Sequence, residues 1–158
     1  MWKALSLTAP WPWIILNLGK RVENRDWPTT FRGRFFLHCS KGMTKADWYA
    51  AHDFVEAFDP EGAARIPKPG DPALLRGHIV ARAELVGLVS PGWKMNKREV
   101  PRPDWAERQK RWYMDAYGFM LAHVRPTVPV LVKGALGFWN VPEDVERSAF
   151  QQAAARGA

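Results

Sequence analysis

At 158 residues, 47% of them hydrophobic, the chain has the length of one domain and the apolar material to fill its core without disulfide or metal staples. A lone cysteine, Cys39, excludes an internal disulfide framework, and the apolar run from Trp11 to Leu18 is too short to cross a bilayer, so a cytoplasmic protein with no membrane partner is expected. The net charge of +7 is concentrated, with +4 in residues 17–41, +4 in residues 93–112 and −1 elsewhere, which suits a polyanion but also fits a merely soluble basic surface.

The segment Trp2 to Leu7 reads as an opening strand. Thr8 resembles an N-cap, with Pro10 in the first turn of an apolar helix that runs to Leu18 and stops at Gly19. Arg21 to Arg25 and Arg34 to Cys39 read as strands joined by a turn-rich connector. Thr44 caps a second helix reaching about Phe58, with Asp47 completing an imperfect capping box. Trp48, Ala51, Phe54, Val55 and Phe58 recur at helical spacing and should face the core. Residues 59–76, rich in proline, read as a surface excursion. Gly77 to Ser90 is the longest strand, long enough to bend or carry a bulge in a closing barrel. The basic stretch 91–112 reads as a loop entering a short helix near Trp105 to Met114. Tyr117 to His123, Val128 to Val132 and Phe138 to Val141 read as closing strands, and Pro142 opens a final helix over 142–155. Spacing for a parallel βαβ fold is absent, so one α+β domain over 1–158 is expected, with small-barrel architecture.

The densest polar cluster is Lys20 to Trp27. On a strand, Arg21, Glu23 and Arg25 share one face, and Lys20 begins it. An ammonium beside a carboxylate in a cleft can hold an anion or act as an acid/base pair; on a surface the same residues are a weak ion-pair ladder. His38 lies on an apolar strand and is either a hydrogen-bonded core residue or, with Ser40 and Lys41, part of a cleft at the strand end. Cys39 points the other way and reads as a small core residue. Histidines 38, 52, 78 and 123 show no metal spacing, and no cofactor or metal is expected. Between Trp93 and Trp112, aromatics alternate with seven cations, a composition that suits single-stranded nucleic acid or simply docks a helix on the barrel. There is no P-loop, GxSxG elbow or GxGxxG, which excludes ATPase, α/β-hydrolase and dinucleotide-binding readings.

Two separated stretches carry a family resemblance. Residues 5–41, LSLTAPWPWIILNLGKRVENRDWPTTFRGRFFLHCSK, combine a PW-containing helix, the run Lys20-x-x-Glu23-Asn24-Arg25-x-Trp27, an Arg-Gly pair and a His-x-Ser strand. Residues 117–142, YGFMLAHVRPTVPVLVKGALGFWNVP, carry a late G-x-x-G-x-W segment. In this order, bracketing residues 3–142, they resemble the ASCH family, although the usual glycine before the motif lysine is shifted, with Leu18-Gly19-Lys20 in its place.

The resemblance implies a PUA-like small β-barrel with flanking helices and a cleft for RNA, a nucleotide or a nucleoside. That basic, tryptophan-lined cleft would hold Trp11, Lys20, Glu23, Arg25, Trp27, His38, Ser40 and Lys41, with Trp93 on a flexible rim formed by 93–112. Lys20 and Arg25 would meet phosphate or a carbonyl oxygen, Glu23 the exocyclic amine of a base, and Trp11 or Trp27 its ring. One branch of the family deacylates N4-acylated cytidine with a lysine, a threonine three residues on and a distant glutamate. Lys20 matches the lysine, Glu23 stands at the threonine's place, and Glu84 is the candidate third member. Glu23 would then activate water while Lys20 stabilises the oxyanion. Another branch resembles metal-dependent ribonucleases, and no ligand cluster here demands a metal.

Overall fold

Short β-branched and aromatic runs, punctuated by Gly and Pro, become seven strands, and the helical repeats become the elements that cover them. The computed structural model describes residues 1–99 and 102–156, with side chains through Gln151. In chain order the elements are β1 (Lys3–Leu7), α1 (Trp11–Leu18), β2 (Val22–Arg25), β3 (Gly33–Cys39), α2 (Lys45–Glu56) and α3 (Pro60–Arg65). Then come β4 (His78–Ser90), β5 (Lys94–Met95), α4 (Pro103–Gln109), β6 (Tyr117–Leu131), β7 (Phe138–Asn140) and α5 (Glu143–Arg156).

The strands form one mixed sheet in the order β2-β6-β4-β3-β1-β7, with β5 paired to β4. Only β1 and β3 run parallel, because α1 and β2 intervene between them. The expected α+β class with flanking helices holds, and the sheet curls into a half-barrel. Register shifts between β3 and β4 and at three places between β4 and β6 mark bulges, which bend and twist long strands.

Inside the curl, Leu5, Leu7, Phe35, Leu37, Ala81, Leu85, Phe119 and Leu121 form one buried core. Phe138 of the edge strand β7 stacks on Phe119 of β6 at 6.1 Å, and Trp27 meets both rings edge-on. These aromatics join the two ends of the sheet across its hollow, where offset and edge-to-face rings pack favourably. A second core, with Trp48, Ala51, Val55 and Trp112, lies under α1, α2 and α4; a third, with Phe36 and Trp139, is covered by α5.

Several boundaries differ from the sequence expectation. The strands expected at Tyr117 to His123 and Val128 to Val132 are one strand, β6, which runs on through the intervening residues with register shifts against β4 at Pro126–Val130 and at His123 (φ 51°). The expected cap at Thr8 is not made by its side chain: the helix begins beyond Pro10, and only the Thr8 carbonyl accepts, from Trp11 N. The capping box of α2 is complete, with Asp47 N donating to Thr44 Oγ1 at 3.0 Å and Thr44 N to Asp47 Oδ2 at 2.9 Å. Residues 59–76 contain α3 and a 3-10 turn at Pro72–Leu74. The helix expected near Trp105 to Met114 starts earlier, at Pro103, and ends in a 3-10 turn at Lys110–Trp112.

Candidate functional site

Parallel pairing of β1 and β3 brings their C-terminal ends side by side, so Ser6 stands opposite His38. The segment between β6 and β7 folds back over this pair. Between them opens a cleft of about 840 Å³, walled by Ser6, Thr8, Arg25, His38, Ser40 and Lys41 on the strand side and by residues 131–137 opposite. The approach is close: a Cβ on Gly134 would stand 2.5 Å from Ser6 Oγ and 2.7 Å from the His38 ring, so only glycine fits.

His38 is buried and fully bonded. Its Nε2–H donates to the Val132 carbonyl at 2.8 Å, so Nδ1 accepts from the Ser6 hydroxyl at 2.9 Å. Ser6 Oγ in turn accepts from Trp139 Nε1 at 3.0 Å. Burial pushes the His38 pKa down, against carbonyls of Val132 and Gly77 that favour the charged form. The neutral ring ties β1, β3, β7 and the covering segment together, which leaves it no free nitrogen for a ligand.

Behind the cleft lies an ionic trio set by the sequence Lys20-x-x-Glu23-x-Arg25. Lys20 is wholly buried; its Nζ donates to the Val22 carbonyl and lies 3.3 Å from Glu23 Oε2. Arg25 Nε faces Glu23 Oε1 at 3.3 Å without an aligned hydrogen bond. Desolvation lowers the Lys20 pKa, opposed by Glu23 and assisted more weakly by Arg25. Arg25 Nη2 donates to the Ser6 carbonyl at 2.7 Å and so joins β2 to β1, strands that are not neighbours in the sheet. Of the trio, Arg25 alone lines the cleft. Lys20 and Glu23 reach the cleft wall only through Glu23's contact with Arg25.

Arg25, His38, Ser40 and Lys41 are thus brought together as the sequence suggests, with Lys20 and Glu23 one layer behind. The tryptophans are not where a ring-stacking role needs them. Trp27 is spent on Phe119 and Phe138 beneath the Arg25 guanidinium, 5.8 Å from the ring centroid. Trp11 packs edge-on to Phe54 with Lys20 Nζ 5.0 Å from its centroid. No tryptophan lines the cleft among the described residues. Trp93 lies in a different groove, with Lys94, Lys97 and Glu107, and no described residue of 93–112 reaches the cleft wall. Glu84 points from the outer face of β4 toward His123, in a third groove, and is not assembled with Lys20 and Glu23.

Cys39 is buried, donates to the Leu74 carbonyl at 3.3 Å and has its pKa pushed up to about 12 by burial, which leaves it an inert thiol. Among the described residues, His52, Asp53 and Glu56 form one grouping of possible metal ligands, on the exposed side of α2. The His52 ring lies against both carboxylates, at 3.1 and 3.4 Å.

The cleft residues the sequence reading missed are Ser6, Thr8 and Gly77 and those of the covering segment. Lys133 adds a third cation to the wall, and Leu131 and Leu136, 74% and 98% exposed, form an apolar lip. For that segment the Gly134-x-x-Gly137 spacing was the signal, two glycines around a leucine marking a tight turn. Compared with known proteins, the chain matches no family model, and no curated protein matches it.

Proposed function

We propose that the chain is a PUA-like module of the ASCH type that binds a nucleoside unit, within single-stranded RNA or as a free nucleotide or nucleoside, in the cleft between the β1/β3 ends and residues 131–137. The observation that carries this reading is the composition of that cleft. Three cations, Arg25, Lys41 and Lys133, share its wall with the hydroxyls of Thr8 and Ser40 and with the apolar Leu131 and Leu136. Cations meet phosphate, hydroxyls and backbone groups meet the base edge, and a leucine face covers the ring that the buried tryptophans cannot stack on. A cytoplasmic setting fits such a ligand; no helix among the described residues is long and apolar enough to cross a membrane.

The test is a titration of fluorescein-labelled single-stranded RNA at several salt concentrations. Replacing Lys41 and Lys133 together by Ala, both outside the core, should weaken binding by about tenfold and reduce the salt slope by about 1.4, roughly 0.7 for each phosphate of the single strand deprived of its cation. An unchanged affinity and slope would exclude the cleft as the RNA site.

One observation favours a second reading, hydrolysis of an N4-acylated cytidine. A buried lysine, its pKa lowered by desolvation, lies 3.3 Å from a glutamate, a cation–carboxylate pairing that acid/base chemistry uses. Glu23 would take the proton of an attacking water and return it to N4 as the C–N bond of the tetrahedral adduct breaks, giving carboxylate and cytidine, while Lys20 would face the developing oxyanion; this requires Arg25 to swing aside. Acetate release from N4-acetylcytidine, lost in Glu23→Gln, tests it.

A further inference from the structure

The outer face of the sheet, on the side away from the half-barrel hollow, carries a feature that the cleft does not use. Strand alternation turns Ala81, Ala83 and Leu85 of β4 into the core and leaves Arg82 and Glu84 outside. Register then sets Arg34 of β3 opposite Glu84, and Arg125 of β6 directly opposite Arg82. The three guanidiniums line one groove of about 290 Å³, closed on one side by Trp2.

This arrangement is electrostatically unfavourable as it stands. Like charges directly across an antiparallel pair destabilise it. Three arginines face one carboxylate, and Glu84 is itself 3.7 Å from His123 Nε2. Among the described residues none of the three arginines makes an ion pair. Arg125 is the one of them with a hydrogen bond, to its neighbour's carbonyl at Val124. The excess field extends further, since the Arg21 guanidinium is held below its usual range by burial and then by Arg125.

The strand also deforms here. Between Arg82 and Glu84, β4 advances two residues while β6 advances three, from Arg125 to Ala122. The extra residue forms a bulge, and His123 takes the left-handed conformation at φ 51°, uncommon for a side-chain-bearing residue. Bulges re-aim side chains. This one sets the exposed His123 ring 3.7 Å from the Glu84 carboxylate at the groove edge, while among the described residues no carboxylate pairs with the arginines.

We infer that this outer groove seats a phosphate group, held by the guanidiniums of Arg34, Arg82 and Arg125. Guanidinium forks match phosphate oxygens two at a time, and a dianion balances the net +2 of three arginines and one glutamate. The site is separate from the cleft and does not rest on the reading given for it.

Pyrophosphate is the probe for a first measurement, titrated into isotope-labelled protein at low salt. Amide shifts are expected around Arg82–Glu84 and Ala122–Arg125, together with a rise in melting temperature. The double variant Arg82→Gln/Arg125→Gln should bind at least tenfold more weakly and lose that rise. Because these side chains lie outside the core and repel one another, the variant should melt no lower than wild type without ligand. Hexanucleotide RNA with and without a 5′-phosphate identifies the source: tighter binding of the phosphorylated form assigns a terminal phosphate, and equal binding weakened by the variant assigns the backbone. No shift with millimolar pyrophosphate, or equal binding by the variant, overturns the proposal. Binding of a phosphate-free nucleoside by the variant stays unchanged, so a failure here is distinguishable from a failure of the cleft reading.

Discussion

His38 illustrates how a residue can sit in a candidate site and still be structural. Both ring nitrogens are used inside the fold, and its low pKa follows from burial before any bonding is counted. The unfolded chain takes a proton at this histidine at higher pH than the folded chain does. Stability is therefore retained above the ordinary histidine range and lost as pH falls through it, until folded His38 itself protonates. Melting curves between pH 5 and 8 on the scale of that titration should show this acid loss in wild type. The loss should be shallower in His38→Gln, and parallel profiles for the two proteins would refute the assignment. Of the two readings open for His38 in the sequence, the strand alternation favours the core one, and the network of Ser6, Val132 and Trp139 supplies the reason. That network was illegible beforehand because its members are separated by up to 133 positions. The trio Lys20, Glu23 and Arg25 was legible as a cluster, since its members are neighbours in sequence. Which of the three reaches solvent was not, because that depends on how β2 leans against β1.

Among the elements, the segment from Lys133 to Gly137 decides whether the cleft exists. It crosses from β6 to β7, and its closest approach is Gly134 over Ser6 and His38. Gly134→Ala must push the segment outward or break the Ser6–His38 bond. A loss of about 1–3 kcal/mol in denaturant unfolding is expected, the usual cost of forcing extra atoms into a packed site. The same variant should weaken ligand binding in the cleft, whereas an unperturbed stability would show that the segment does not rest on His38. Helices were the more legible elements: Thr44 and Asp47 announce α2, and its apolar spacing matches the buried Trp48, Ala51 and Val55. Of the two long strands, β4 was legible almost to the residue, Gly77 to Ser90 against His78–Ser90, whereas β6 was read as two. The sequence reading left the residues between His123 and Val128 outside its strands, yet β6 continues through Pro126 with register shifts against β4.

For the molecule as a whole, the basic charge that stands out in the sequence is distributed over distinct surfaces. The 17–41 cluster divides between the cleft, through Arg25 and Lys41, and the outer groove, through Arg34. The 93–112 cluster builds its own groove around Trp93. Arg82 and Arg125 belong to neither charge cluster, and their convergence emerges only from a register carried across three bulges. The half-barrel is completed by side chains, with Arg25 reaching Ser6 and Phe138 stacking on Phe119, so the sheet's open seam and the cleft are parts of one architecture. A phosphate-free nucleoside isolates the cleft from the outer groove, which makes cytidine the sharpest probe of the central claim. Titrated into isotope-labelled protein, it should move the amide resonances of Thr8, Ser40, Lys41, Gly77 and Lys133 to Gly137, and leave those around Arg82 and Trp93 in place. Absence of any shift at millimolar cytidine, or shifts confined to the outer groove or to the Trp93 surface, would contradict the assignment of the cleft as the nucleoside site.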